Sequence, residues 1–474
     1  MTEPLWTLAD FAAGCGGRVV GEPAAAIEGI SIDSRTIGAG DAFFAILGDS
    51  RDGHDFVPAA LGRGAAVCVV SEAKLGELPA NGRYVVVDDV LAALRRLGSA
   101  ARARTGARIV AVTGSVGKTS TKEALRHVLA DQGKTHASVA SYNNHWGVPL
   151  TLARMPADCA FAIFEIGMSA PGEITPLTAM VRPHVAVVTT VAPVHLAQFR
   201  DVDQIAEAKA EIFSGLEPGG AAVIDGDVAQ APILVAAAEA VGARVVRFGE
   251  GADFEARLLD SSLQVDNSTV SADILGMAIT YKIGAPGRHV VKNSLAVLAC
   301  VVLVGADLAR AGLSLASMVP PQGRGARHVL HLGHGEAVLI DESYNANPAS
   351  MRAAIDLLGR SPVGLRGRRI AVLGDMLELG PKGEQLHVDL AEALEAARID
   401  LVFCAGPLMH ALWHALPPEM HGAQALASAD IEAPLMARIR PGDAIMVKGS
   451  NGSRMGPIVA ALTTRFRAAP ADVL

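Results

Sequence analysis

Arg108-Ile-Val-Ala-Val-Thr-Gly-Ser-Val-Gly-Lys-Thr-Ser-Thr121 decides how this chain is read. An apolar run of strand type enters a turn of small residues, followed by Lys118, Thr119 and the helix-forming run Lys122-Glu-Ala-Leu-Arg-His-Val-Leu129. Backbone N–H groups along Thr113, Gly114, Ser115, Val116, Gly117, Lys118, Thr119 and Ser120 and the positive end of the helix converge on one place, which suits a polyanion. Lys118 supplies a mobile cation for terminal phosphates, and the Thr119 hydroxyl is a ligand for magnesium. The turn departs from the full Walker pattern, which has a glycine where Val112 stands. Mere punctuation between strand and helix is the competing reading, but Gly-Lys-Thr directly after a strand rarely arises that way.

Working outward, 474 residues exceed one hydrophobic core and predict about three domains. Half the residues are hydrophobic and 19% are charged, enough apolar surface to fold and too little charge for disorder. The net charge of −8 and the lack of a Lys/Arg block argue against a nucleic-acid surface, so anionic ligands must be held locally. Five scattered cysteines (Cys15, Cys68, Cys159, Cys300, Cys404) without a C-x-x-C pair suit a reducing compartment. The first residues carry no signal-peptide pattern, and the apolar run Leu295 to Gly305 is too short for a bilayer span. A cytoplasmic location without membrane insertion is expected.

The expected fold is α/β in three domains. Residues 1–88 hold short strands (Ile27–Asp33, Ala42–Leu47, Ala65–Val70, Arg83–Val87) and form a small α/β domain. Residues 89–319 open with an amphipathic helix, Leu91 to Arg104. They continue with the loop-bearing strand and the β-rich runs Cys159–Ile166, His184–Val191, Ala221–Asp225 and Arg244–Phe248. Alternation with helices predicts a P-loop-type, mostly parallel sheet covered on both faces, with a meander or hairpin over 260–273. Met318-Val-Pro-Pro-Gln-Gly-Arg324 marks a break. Residues 320–474 then repeat strand-helix alternation (Ala337–Asp341, Arg369–Gly374, Asp400–Ala405, Ala444–Lys448), a Rossmann-like unit.

Several residues carry candidate chemistry. Glu165 closes the strand Phe161-Ala-Ile-Phe-Glu165, and carboxylates at parallel strand ends face the ligand crevice; beside the phosphate loop it is a candidate magnesium ligand. His195 follows another strand and alone is a weak signal. Lys209 interrupts the apolar stripe Val202, Ile205, Ala206, Ile212 and Phe213 of a helix starting after the N-cap Asp201. It either snorkels to solvent or is buried as a neutral amine able to add carbon dioxide and become an anionic carbamate. His289 and Asn293 share a helix face, either reading an adenine edge or forming an exposed polar first turn. Asp33-Ser-Arg35 and Asp52-Gly-His-Asp55 are polar turns that either bind a nucleotide sugar or are plain surface loops, and Lys448-Gly-Ser-Asn-Gly-Ser-Arg454 either holds a carboxylate or phosphate or simply turns.

These strings together resemble the Mur ligase family over essentially the whole chain. The likeness rests on Asp33-Ser-Arg35, the T-G-S-x-G-K-T-S loop and Tyr142-Asn-Asn-His-Trp-Gly-Val-Pro-Leu150. It rests also on Glu165-Ile-Gly167, His195, Ala208-Lys-Ala-Glu-Ile-Phe213, Asn293, Gly323-Arg324, Tyr344-Asn-Ala-Asn-Pro348 and Gly374-Asp-Met-Leu-Glu-Leu-Gly380. The last two resemble the member that adds a dipeptide. The resemblance implies ATP, two Mg2+ ions and a carbamoylated lysine at Lys209, which reverses the snorkelling reading. It implies Lys118, Lys209 and His195 as catalytic groups, with Thr119, Glu165, His195 and Lys209 around the metal. Asn293, Arg324 and Asn347 would touch the nucleotide, while Ser34, Arg35, Asn143 and Asn144 would hold substrate. The implied substrates are UDP-N-acetylmuramoyl-tripeptide and D-alanyl-D-alanine, and a monomer is expected. A relative adding another amino acid, a folylpolyglutamate synthetase and, from a different class, a nucleotide-switch ATPase stay as alternatives.

Overall fold

Ile109, Val110, Ala111 and Val112 are fully buried because their strand, Arg108–Thr113, runs through the interior of a nine-stranded sheet. In the computed structural model, which describes residues 4–48, 50–139, 141–194 and 198–467, both faces of that strand are covered. Ile109 and Ala111 point into one core and Val110 and Val112 into the other, the period-two alternation of a strand. Near-continuous apolar sequence is what a parallel sheet sandwiched by helices requires.

The neighbours of this strand fix the site. Phe161–Glu165 lies parallel on one side and Val185–Val188 on the other. The chain therefore leaves Thr113, builds the sheet to one side through Thr135–Ala137 and Phe161–Glu165, and crosses back over to Val185–Val188. That reversal opens a crevice at the C-terminal ends of the three strands, where doubly wound sheets bind ligands. The sheet continues through Ala221–Asp225 and Arg244–Gly249 into an antiparallel meander, Ala256–Leu263, Ser268–Ile274 and Met277–Ile283. The meander's last turn places Leu275 and Gly276 at φ 54° and 84°, the pair of positive φ values of a tight hairpin.

The first unit has a five-stranded sheet ordered Arg18–Val20, Tyr84–Val87, Val67–Ser71, Asp41–Phe44 and Gly29–Ser31, antiparallel only at its first pair. The single strand expected over Ile27–Asp33 is in fact two pieces. Ala26–Ile27 pairs with Trp6–Thr7, and Gly29–Ser31 joins the sheet. Strand geometry ends there because Asp33 caps a short 3-10 turn, Ser34–Thr36, by accepting from Arg35 N at 2.9 Å. The helix Val90–Ala103 buries Val90, Ala93, Leu94, Leu97 and Ala101 in the first unit's core, and its Gly98 lies against Pro149 and Leu152 of the second. Trp6 Nε1 donates to Ala153 O (2.9 Å) and Arg154 Nε to Ile30 O (2.6 Å), fastening the same two units.

The last unit has six strands ordered Ala326–His331, Glu336–Glu342, Ala444–Lys448, Arg369–Gly374, Leu401–Ala405 and His421–Ala425. All pairs are parallel except the first, and helices cover both faces. Strand order reverses at Ala444–Lys448, so Glu342 and Lys448 end side by side at its carboxyl edge. Among the described residues no helix is long and apolar enough to cross a membrane.

Candidate active site

Two glycines give the phosphate loop its shape. Gly114 has φ 146° and a Cβ there would lie 2.0 Å from Thr189 Oγ1; Gly117 has φ 87° and a Cβ would lie 2.7 Å from Asn293 Nδ2. Side chains rarely adopt such φ values, and at Gly114 the Thr189 backbone N, 3.1 Å from a Cβ, crowds the position as well, while at Gly117 a methyl group would push the Asn293 amide aside. The loop is anchored to the strand beside it. Ser115 N donates to Thr190 O (2.9 Å), Ala192 N donates to Ser115 Oγ (2.9 Å), and Thr189 Oγ1 donates to Val116 O (2.6 Å). The helix Lys118–Ala130 starts directly at Gly117 without a side-chain cap, so its first N–H groups are free to face an anion.

Lys118 folds back over the loop, its Nζ donating to Gly114 O at 2.7 Å. Its pKa is lowered, first by burial and next by the Arg324 guanidinium, with Glu165 opposing the shift. Thr119 Oγ1 donates to Glu165 Oε2 (2.8 Å) and lies 3.1 Å from Ser141 Oγ, while Asn143 Nδ2 donates to Glu165 Oε1 (2.8 Å). Carboxylate, two hydroxyls and an amide therefore meet next to the phosphate loop. These are hard oxygen donors of the kind a magnesium ion takes, so the residues fit that ion.

Lys209, on the helix Val202–Ala210, is 2% exposed and does not snorkel. Among the described residues its amine has no hydrogen-bond acceptor and no carboxylate partner. Burial and, second, the Lys118 cation push its pKa well below the ordinary lysine value. A neutral amine fits carbon dioxide addition. The neighbouring acids are directed elsewhere: Glu207 is exposed, and Glu211 accepts from Gly172 N, Ile174 N and Thr175 N at the start of another helix. His195 lies outside the described residues.

The phosphate loop, Glu165 and Asn143 line one cleft of about 1130 Å³, with the last unit as its far wall; Lys209 is not among its lining residues. Ser115 to Ser120, Asn143, Asn144, Glu165, His289, Asn293, Arg324 and Asn347 reach it together. A typical small-molecule pocket holds ~300–1,000 Å³, so this cleft lies just above that range. Arg324 lies over the Tyr344 ring at 4.2 Å. Two predicted contacts also have local duties: Asn144 Oδ1 accepts from Gly147 N (2.9 Å), and Asn347 Oδ1 accepts from Ser350 N (2.9 Å) in a capping box. Ser34 and Arg35 do not reach the cleft. The Arg35 side chain is 84% exposed and paired with Asp33 at 2.7 Å.

Other cleft residues escaped sequence reasoning. Thr189 pins the loop, and Lys292 Nζ pairs with Asp225 (2.6 Å) and Asp227 (3.0 Å). Glu342 pairs with the buried Lys448 at 3.2 Å, and Lys448 Nζ also donates to Asn345 O (3.0 Å). For Asp225 and Glu342 the available signal was position alone, since each ends a parallel strand, whereas Lys448 opens the loop whose sequence already suits an anion.

Family comparison covers the three units. Residues 26–102 match the Mur ligase family, catalytic domain; 112–301 the Mur ligase middle domain; and 328–451 the Mur ligase, glutamate ligase domain. The UDP-N-acetylmuramoyl-tripeptide--D-alanyl-D-alanine ligase of Escherichia coli (strain K12) is 34% identical over 447 residues, 92% of this chain and 94% of that protein. The enzyme of the same name from Bacillus subtilis (strain 168) is 33% identical over 438 residues, 91% of this chain and 92% of its own length. The solved UDP-N-acetylmuramoylalanyl-D-glutamyl-2,6-diaminopimelate--D-alanyl-D-alanyl ligase of Acinetobacter baumannii superposes with a TM-score of 0.82 at 28% identity, covering 98% of this chain and 100% of that one.

Proposed function

The chain belongs to the Mur ligase family, and from that membership we propose that it joins D-alanyl-D-alanine to UDP-N-acetylmuramoyl-tripeptide with ATP as the activating reagent. The observation that carries the chemistry is one cleft in which Lys118, the uncapped helix start and the Thr119–Glu165 pair face the carboxyl edge of the last unit. In this reading residues 1–88 hold the UDP-sugar, 89–319 hold ATP and 320–474 bring the dipeptide.

A carboxylate is a poor electrophile because its oxygen is a poor leaving group. Attack of the peptidyl carboxylate on the γ-phosphoryl group forms a C–O–P linkage, breaks the bond to the β-phosphate and releases ADP. The dipeptide amine then adds to the acyl carbon, loses a proton and expels phosphate, leaving an amide. The first step brings two anions together, so its cost is electrostatic. Lys118 would leave Gly114 O for the terminal phosphates, and the backbone N–H groups of 114–119 would hold the rest. Thr119 and Glu165, with His195 and Lys209, would hold magnesium, which when bound supplies charge neutralisation on phosphate oxygens. Lys209 would gain carbon dioxide at its neutral amine and lose a proton, becoming a carbamate; the change from neutral to anionic beside Lys118 favours the lysine cation. Asn293 and Arg324, with Asn347, would orient the nucleotide, and Asn143 and Asn144 the peptide. Ser34 and Arg35, at the surface of the first unit, are assigned to the UDP-sugar. On this reading the reaction runs in the cytoplasm and the enzyme acts as a monomer.

The test is phosphate release by purified protein with ATP, magnesium and the tripeptide substrate, against a panel of amines. Release at least tenfold faster with D-alanyl-D-alanine than with single amino acids or glutamate is expected. Equal release without any amine would indicate a nucleotide-switch ATPase, and preference for one amino acid a different ligase.

A further inference from the structure

Lys122 is an unusual residue to find inside a protein. It follows Thr119 by one turn on the helix Lys118–Ala130 and is 0% exposed. Its Nζ donates to Ser138 O at 2.7 Å, lies 3.4 Å from Ser138 Oγ and pairs with Glu123 Oε1 at 2.8 Å. Glu123 is braced in turn by Arg126 at 2.7 Å. Burying an ammonium is costly unless it is paired, and even paired ions are often no more stabilising than apolar groups of the same volume. Its presence therefore calls for a geometric purpose.

Ser138 begins the loop between the strand Thr135–Ala137 and the helix Gly147–Ala153. That loop supplies Ser141 to Thr119, Asn143 to Glu165, and Asn144 to the start of the next helix. Asn143 is bound again through its backbone, accepting from Gly167 N at 2.8 Å. Residues three apart share a helix face, so Thr119 and Lys122 grip the loop from one side at two points. The Thr119 grip passes through the hydroxyl that the proposed metal would take. The Lys122 grip does not.

We propose that Lys122 is a positioning residue: its amine holds Ser138, at the start of the loop, to the phosphate-loop helix, so that Asn143 and Asn144 further along stay in place for the peptide substrate whichever partner Thr119 has. This rests on the ligase reading for its substrate and on geometry alone for the staple.

Two measurements on the full chain test it, using Lys122→Met, Lys122→Arg and Glu123→Gln. Lys122→Met is expected to raise KM for the tripeptide substrate about tenfold, leave KM for D-alanyl-D-alanine within about twofold, and speed amide hydrogen exchange across 141–146 about tenfold, exchange elsewhere being unchanged. Lys122→Arg should restore much of both, and Glu123→Gln should shift both in the same direction by less. Exchange in the loop unchanged in every variant that folds, or accelerated uniformly along the chain, overturns the proposal, as does an equal rise in both KM values. If Lys122→Met does not fold, Glu123→Gln decides by the same two readouts. Absence of ligation by the unsubstituted protein would fault the ligase reading, while the exchange result would still decide the staple.

Discussion

At the scale of single residues, Lys209 has the sharpest conflict between chemistry and surroundings. Its amine is buried with Lys118 nearby, and both effects favour the neutral form. Because the folded pKa lies below the unfolded one, the unfolded chain takes up the proton first as pH falls. Wild-type stability then drops by up to about 1.4 kcal/mol per pH unit below pH ~10.4, levelling once pH passes the folded value. Lys209→Met removes this penalty. In carbon dioxide-free buffer the variant should be the more stable, by a margin that widens as pH is lowered from 10 towards neutrality; a margin independent of pH would refute the burial argument. Adding bicarbonate at neutral pH should raise the unfolding temperature of the wild type and leave the variant unchanged. The sequence set this lysine within an apolar stripe but could not say whether its four-carbon stem reached water, because that depends on what covers the helix. Here the covering closes over it.

At the scale of elements, the strand–loop–helix from Arg108 to Ala130 was legible because apolar alternation, glycine and helix-start residues all agree locally. Glu165 was legible for a similar reason, as the polar end of an apolar strand. Short edge strands such as Thr135–Ala137, Ala326–His331 and His421–Ala425 were not. They are half-covered, mix polar and apolar residues, and owe their form to a neighbour distant in sequence. Thr189, Lys292 and Glu342 were hidden likewise, since each matters through a partner that only the fold brings near. Asn347-Pro348-Ala-Ser350 reads equally well as a helix start, and its side chain is in fact so engaged. The loop itself makes a prediction. Gly117→Ala would force a side chain into φ 87° and against Asn293 Nδ2, 2.7 Å away. Relieving that strain, about 1–2 kcal/mol for the backbone alone, would draw the free loop away from its anion-holding shape, so nucleotide affinity should fall roughly tenfold. Titration with a fluorescent ATP analogue reads this directly, and unchanged affinity would mean that the turn is not the phosphate site.

At the scale of the whole molecule, the cleft has two walls of different character. The central sheet offers the phosphate loop at its strand reversal, and the last unit offers Glu342 and Lys448 at another. Two doubly wound sheets thus present their carboxyl edges to one space, which gives two different ligands one meeting place. Holding reactants together in this way converts a bimolecular encounter into a local one and keeps water from an activated acid. The central claim is that the acid's own oxygen leaves with the phosphate. It is tested by ligation with tripeptide substrate carrying 18O in its terminal carboxylate, followed by mass analysis of the phosphate released. The account predicts one 18O atom transferred to each phosphate formed from fully labelled substrate, matched by one amide. Phosphate free of label, formed alongside the amide product, would contradict it.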